Sequence, residues 1–111
     1  MVAPHAFPLL LVSVERAGDS ATLRLDGELD CATAPDLDAA LTELQSSPSP
    51  PRRIYIDADR LTFIDVSGLS PLVAAVHRLP DGGHLQLRNA RRQVVRVIRL
   101  LELADDLGLD H

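Results

Sequence analysis

Lysine is absent from this chain of 111 residues, and all eleven of its cationic side chains are arginine. A reaction that needs a lysine amine is therefore excluded. The single cysteine, Cys31, rules out a disulfide within the chain. We interpret it as a small packed residue rather than a nucleophile. An intracellular, reducing compartment fits this cysteine usage best, so we expect a cytoplasmic protein.

Long apolar runs and an excess of positive charge are also missing. No apolar run approaches the ~18–20 residues that span a bilayer, so no membrane insertion is expected. The apolar run at 8–12 lacks a preceding basic segment, which argues against a signal peptide. The formal net charge is −5, which makes direct nucleic-acid binding a poor first hypothesis.

What the chain contains is typical of one globular domain: 46% apolar and 24% charged residues. We predict a short N-terminal arm over residues 1–8 and a single domain over 9–111. The only low-complexity segment, 46–51, consists of Ser and Pro and is predicted to be a mobile loop.

Hydrophobic periodicity predicts strands over 9–14, 21–25, 53–57 and 84–88. The first is dominated by Leu9, Leu11 and Val12, and the turn 17–20 joins it to the second as a hairpin. Three helices are predicted, with apolar stripes at Leu37, Leu41 and Leu44, at Leu69, Leu72, Val73, Val76 and Leu79, and at Val94, Ile98 and Leu101. The order predicts an α/β fold, in which a small mixed sheet of about four strands packs against about three helices.

Two segments are expected where strand carboxyl ends meet helix amino ends, the usual place for sites in such sheets. The first is a loop, 27–32, followed by a helix that Thr33 caps and to which Asp36 bonds back. The second is 62–68, where apolar residues lead into a loop that ends at Ser67 beside Gly68. A helix amino end accommodates a phosphate, and a phosphoserine adds about −1.5 to −2 charges.

A phosphate on Ser67 would repel a nearby Asp65 and reject a partner docked over this loop. The alternative, which position alone favours, is that Ser67 or Asp65 merely caps the helix. Pro71 leaves two helix starts open. The helix begins either at Ser70 and Pro71, with Ser67 in the loop before it, or at Ser67, with Pro71 distorting its first turn.

The segments 27–30, 33–34 and 61–69 closely resemble motifs of the STAS domain family, in particular the bacterial anti-sigma factor antagonists. The resemblance extends from about Leu9 to Leu101, and the second motif is the more specific. It implies a STAS-like fold, no enzymatic activity and no cofactor.

In that family the unphosphorylated domain binds an anti-sigma factor that is also a serine kinase of the GHKL type, and a sigma factor is released. The kinase then phosphorylates a loop serine and expels the antagonist, and a serine phosphatase reverses this. The family motif Asp-Ser-Ser-Gly carries the phosphate on its second serine, which corresponds to Ser67. The partner-binding residues implied are Asp30, Thr33, Thr62, Phe63, Ile64, Asp65, Val66, Gly68 and Leu69.

The sequence departs from the family pattern in two places. Val66 replaces the first serine of the motif but leaves the acceptor in place. The glycine that usually ends the last long helix is missing, and Glu102 and Leu103 stand near that place. Since the sequence ends at His111, we expect the final strand and helix of longer members to be shortened or missing, which bears on the sheet edge and any dimer contact.

Other functions have weaker support. Asp57 at a strand end suggests a response-regulator receiver, but the acidic pair and the late lysine of that chemistry are missing. The four histidines show no metal-ligand spacing, and no hydrolase or phosphate-binding glycine motif is present. The arginines over 88–99 are interpreted as a solvated helix face. STAS-type scaffolds and transport-system subunits, which dock without phosphorylation, remain the alternative.

Overall fold

Residues 9–109 are described by a computed structural model, in which four strands and three helices follow one another in the predicted order. The elements are β1 (Leu10–Ala17), β2 (Ser20–Leu29), α1 (Ala34–Gln45), β3 (Arg53–Ile64), α2 (Val66–His77), β4 (His84–Arg88) and α3 (Arg92–Leu100). The predicted arm over residues 1–8 lies outside the described residues.

The four strands form one mixed sheet in the order β1-β2-β3-β4. The β1–β2 hairpin is antiparallel, whereas β2–β3 and β3–β4 are parallel. Gly18, in the two-residue turn of the hairpin, has a φ of 60°, which glycine adopts without strain. The predicted α/β fold with an opening hairpin and parallel crossovers is therefore confirmed.

Three strands are longer than the sequence predicts, and the first of them, β1, ends at Ala17 instead of residue 14. β2 continues to Leu29, so the predicted loop over 27–32 is wrong in its first half. Gly27 has a φ of 129°, and a Cβ there would lie 1.9 Å from the Leu9 carbonyl oxygen. β3 likewise continues to Ile64, so the apolar residues before Asp65 lie in a strand rather than a loop. The extensions of β2 and β3 pair with each other in the β2–β3 ladder.

One face of the sheet packs against the helices and forms the core. Alternate side chains of the central strands are buried, among them Leu23 and Ile56, whereas Arg24 on the opposite face is exposed. The α1 stripe is buried as predicted, at Leu37, Leu41 and Leu44. Two apolar predictions are wrong: in the first strand Leu10 is buried whereas Leu9 and Leu11 are exposed, and in α3 Val94 and Ile98 are buried whereas Leu101 is 39% exposed.

The segment that follows α3 covers the β4 edge of the sheet. The missing glycine is replaced by Glu102 in a left-handed conformation, with a φ of 58°. The Glu102 amide donates to the Arg99 carbonyl and the Leu103 amide to the Ile98 carbonyl, which is the Schellman arrangement. Farther on, the Leu107 carbonyl accepts from the Leu87 amide of β4.

Candidate functional site

The carboxyl ends of β2 and β3 lie side by side and bring the two predicted segments together. Leu29 pairs with Ile64 in the last step of the ladder. The Asp65 amide then donates to the Leu29 carbonyl at 3.2 Å, which ties the start of α2 to the end of β2. The loop after β2 and the first turn of α2 are therefore fixed relative to each other.

A hydrogen-bonded turn holds Asp30 in place after β2. Its Oδ1 accepts from the amides of Ala32 at 2.9 Å and Thr33 at 3.1 Å. The Thr33 hydroxyl donates to the Glu28 carbonyl at 2.8 Å and accepts from the Asp30 amide at 3.0 Å. Because Thr33 is only 4% exposed, these bonds fix the shape of the turn from the inside.

The predicted role of Thr33 as a side-chain cap of α1 is wrong. Thr33 occupies the N-cap position, but its side chain makes no capping bond. Its hydroxyl is already used by the turn around Asp30. The place of Thr33 in the sequence therefore identified it correctly as the N-cap residue. The hydrogen bonds of its hydroxyl depend on the chain folding back toward Glu28, and residue spacing does not reveal that.

Asp65 is the N-cap of α2. Its Oδ1 accepts from the Gly68 amide at 3.0 Å, and the helix begins at Val66. Ser67 therefore stands in the first turn, and Pro71 lies inside the helix, close to the second of the two predicted starts. Since proline has no amide hydrogen, the Ser67 carbonyl lacks its normal donor four residues later.

Gly68 allows the first turn of α2 to lie directly on the end of β2. A Cβ at this position would lie 2.4 Å from the carbonyl oxygen of Leu29 and 2.7 Å from its Cγ. Gly68 itself is buried. Only glycine permits this approach, so the position of Ser67 relative to the Asp30 turn depends on it.

Ser67 is exposed, and its hydroxyl has no hydrogen-bond partner within residues 9–109. Capping of α2 thus falls to Asp65 and not to Ser67. Beside Ser67 the side chain of Val66 is 66% exposed, and that of Phe63 at the end of β3 is 44% exposed. Two partly exposed apolar side chains therefore lie close in sequence to the Ser67 hydroxyl.

Two grooves flank α2 at this point. One, of about 520 Å³, lies between α1 and α2 and is lined by Ser67, Cys31 and Asp38 among others. The other, of about 530 Å³, is lined by Val66, Leu69, Ser70, Val73, Ala74, His77, Leu101 and Leu103. No arginine lines the Ser67 groove within the described part of the chain, so no cation there would neutralise an added phosphate.

The predicted partner-binding residues divide into two groups. Asp30, Thr62, Phe63, Asp65 and Val66 present at least part of their surface to solvent, whereas Thr33, Ile64, Gly68 and Leu69 are buried. The buried group supports the exposed one from beneath. Thr62 in addition donates from its hydroxyl to the Gly27 carbonyl at 3.1 Å.

The sequence interpretation missed the groove between α1 and α2. Cys31 was expected to be packed, but it is exposed and lines this groove. The only sequence feature that could have indicated this groove is the spacing of Ser67, Ser70 and Ala74, which places them on one face of α2. Across residues 9–109 no cluster of metal-ligating side chains occurs, and no helix is long and apolar enough to cross a membrane.

Comparisons with known proteins agree with this architecture. Residues 12–109 match the family model described as "Mlab, STAS domain". No curated protein matches the sequence. Among solved structures, an anti-sigma factor antagonist from Mycobacterium paratuberculosis is similar, with 24% identity, a TM-score of 0.78, and coverage of 90% of this chain and 84% of that one.

The unphosphorylated form of the anti-sigma factor antagonist SpoIIAA is 22% identical, with a TM-score of 0.67 over 81% of this chain and 83% of that one. The phosphorylated form of SpoIIAA, described as a Bacillus cell fate determinant, is 20% identical, with a TM-score of 0.66 over 91% and 92%. Since all three identities lie below 25%, the structural similarity establishes only the fold. Membership of a family rests on the match to the family model.

Proposed function

Because the chain belongs to the STAS domain family, we propose that it is an anti-sigma factor antagonist controlled by phosphorylation of Ser67. The observation that carries this proposal is the exposed, unbonded Ser67 hydroxyl in the first turn of α2. The proposed partner is an anti-sigma factor that is also a serine kinase of the GHKL type. A serine phosphatase would restore the unmodified form.

The unmodified surface is suited to docking a protein. Val66 and Phe63 supply exposed apolar area, and Asp30 and Asp65 supply partly exposed carboxylates. The apolar contacts would give most of the binding energy, since apolar area contributes about 25 cal/mol per Å² removed from water. The two carboxylates would orient donors of the partner.

Phosphorylation would change this surface by charge rather than by refolding. A phosphate on Ser67 adds about −1.5 to −2 charges. The amide hydrogens in the first turn of α2 stabilise the phosphate locally, while Asp65 and Asp38 repel it. Because no arginine lines the Ser67 groove among the described residues, no cationic side chain of the groove offsets the added charge, and a docked partner loses affinity.

The residues beneath the surface would act by positioning it. Thr33 holds the Asp30 turn, and Gly68 lets α2 lie against Leu29. Substitution of either would disturb partner binding without removing a contact atom. Ile64 and Leu69, which are 4% and 2% exposed, anchor the two sides of the loop in the core.

Incubation with the cognate serine kinase and ATP tests this function. Intact-mass measurement should show the addition of one phosphate, and fragment mapping should place it on Ser67. The Ser67→Ala variant should stay unmodified, whereas Ser70→Ala, one turn away on the same helix, should be modified like wild type. If no phosphate is added while the chain still binds a partner protein, it acts instead as a STAS scaffold or transport-system subunit.

A further inference from the structure

The outward side of α3 carries a regular strip of arginine and apolar side chains. A shallow groove of about 410 Å³ follows this strip and is lined by Arg92, Val95, Arg96, Arg99 and Leu100. These positions recur at intervals of three and four residues, so they form one continuous strip opposite the buried Val94 and Ile98. Leu100 is 76% exposed, the highest value among the large apolar side chains of the described residues. We call this strip the arginine face.

The charges of α3 act against the stability of the helix. Arg91 is its N-cap and makes no side-chain capping bond, and no acidic residue lies in the first turn. Arg91 and Arg92 therefore place positive charge at a helix end that is already partly positive. Arg92 and Arg96 also repel each other, since they stand four residues apart. By contrast, α1 has Asp36 in its first turn and α2 is capped by Asp65. Side chains that break a local rule in this way are expected at functional sites.

The rest of the described chain does not neutralise this face. Five arginines and no acidic residue occur between Asp81 and Glu102, in a chain whose net charge is −5. The guanidinium groups of Arg92 and Arg96 make no hydrogen bond or ion pair within residues 9–109. An anionic group that offsets their charge must therefore come from another molecule.

The arginine face borders the proposed docking surface at both ends of α3. Near the start of the helix the Gln93 side-chain amide donates to the Thr62 carbonyl at 3.3 Å. At its end Leu101 lines the same groove as Val66. The nine residues of α3 extend only about 13 Å, whereas an ordinary interface covers about 800 Å² on each partner. A protein that covers Val66 therefore reaches the arginine face without any change in the fold.

We propose that the arginine face binds an acidic segment of the protein that docks over Ser67. This inference rests on the proposed function, which supplies that protein. Apolar side chains of the segment would cover Val95 and Leu100, and its carboxylates would pair with Arg92 and Arg96, because a guanidinium donates two parallel bonds to a carboxylate. The partner then meets carboxylates at the Ser67 loop and arginines at α3, which fixes its orientation.

Other occupants fit the arginine face less well. The α3 helix of a second copy would set arginines against arginines. An anionic lipid layer is flat and extended, and it would also approach the exposed carboxylates of Glu102, Asp105 and Asp106, which directly follow α3. Nucleic acid would be repelled by the net charge of the chain. A local acidic segment of a protein avoids all three conflicts.

The Arg92→Glu variant separates binding from stability. A glutamate at the first position of α3 suits the positive helix end and pairs with Arg96 four residues later. This variant should therefore melt about 1–5 °C above wild type. It should nevertheless bind the purified cognate anti-sigma factor about tenfold more weakly at low salt, and the difference should narrow as the salt concentration rises. Arg53→Glu makes the same change in net charge at the opposite end of β3 from the site and should bind like wild type.

The outcomes distinguish this inference from the proposed function. Equal binding of Arg92→Glu and wild type, or equal weakening by Arg53→Glu, would overturn the inference, while weak binding of Ser67→Asp would still support the function. Failure of wild type to bind the anti-sigma factor would overturn both. A lower melting temperature of Arg92→Glu together with weaker binding would assign Arg92 to the fold and overturn the inference. So would phosphatidylglycerol vesicles, or self-association in light scattering, if wild type showed either binding and Arg92→Glu lost it.

Discussion

Replacing Gly68 by alanine inserts one methyl group between α2 and β2. The new Cβ would lie 2.4 Å from the Leu29 carbonyl oxygen, whereas ordinary contact begins at 3.4 Å. The first turn of α2 must therefore move by about 1 Å, and the bond from the Asp65 amide to Leu29 moves with it. Overpacking of this kind costs about 1–3 kcal/mol.

Helix propensity acts in the opposite direction. Alanine is better than glycine inside a helix by at most about 1 kcal/mol. We therefore expect the Gly68→Ala variant to lose about 1–2 kcal/mol of unfolding free energy, measured by urea denaturation. The melting temperature should fall by roughly 5–10 °C. Ser67→Ala, at the exposed neighbouring position, is the control and should melt close to wild type. A Gly68→Ala variant at least as stable as wild type would refute the close approach.

Three further changes test the supports of the site and the end of α3. Asp65→Ala should cost about 1 kcal/mol because the Gly68 amide loses its cap, whereas Asp65→Asn should retain most of the stability, as urea denaturation will measure. Thr33→Val should cost about 1–3 kcal/mol in the same assay, since a buried hydroxyl with several partners is lost; an unchanged midpoint would contradict the role of Thr33 in the turn. Glu102→Gly should gain about 0.5–1 kcal/mol by relieving the left-handed backbone, and a lower melting temperature would contradict that.

The sequence was sufficient to predict the order of elements, the buried face of β2 and the buried stripe of α1. Alternation in β2 and the helical spacing in α1 each follow from one face being turned to the core. β4 was predicted with its observed bounds because a strong turn precedes it and its two leucines alternate. Local patterns of this kind are sufficient to predict a helix or strand that buries one of its faces in the core.

The extensions of β2 and β3 could not be predicted, because each depends on the other. Gly27 and the acidic residue after it interrupt the alternation of β2, and the ladder shifts register between Arg24 and Asp26 and again between Gly27 and Glu28. Only the pairing with β3 keeps this segment extended. The Leu9 mistake has a similar cause: which residues of an edge strand are buried depends on the neighbouring strand.

Residue types and the family resemblance were sufficient to identify the candidate site. They did not reveal the buried contacts that hold the site in place. Asp65 and Ser67 could be placed at a helix start from the sequence. The close contact of Gly68 with Leu29 and the turn held by Thr33 join residues far apart in the chain or buried within it. No local spacing rule specifies such contacts.

Binding of the cognate anti-sigma factor to three forms of the chain tests the central proposal most directly. Wild type and Ser67→Ala should bind with similar affinity, whereas Ser67→Asp, which adds a negative charge to the Ser67 groove, should bind at least tenfold more weakly, a loss of about 1.4 kcal/mol. All three should melt alike, so the change is in docking and not in folding. Equal affinity of Ser67→Asp and wild type, or loss of binding in Ser67→Ala, would contradict the account.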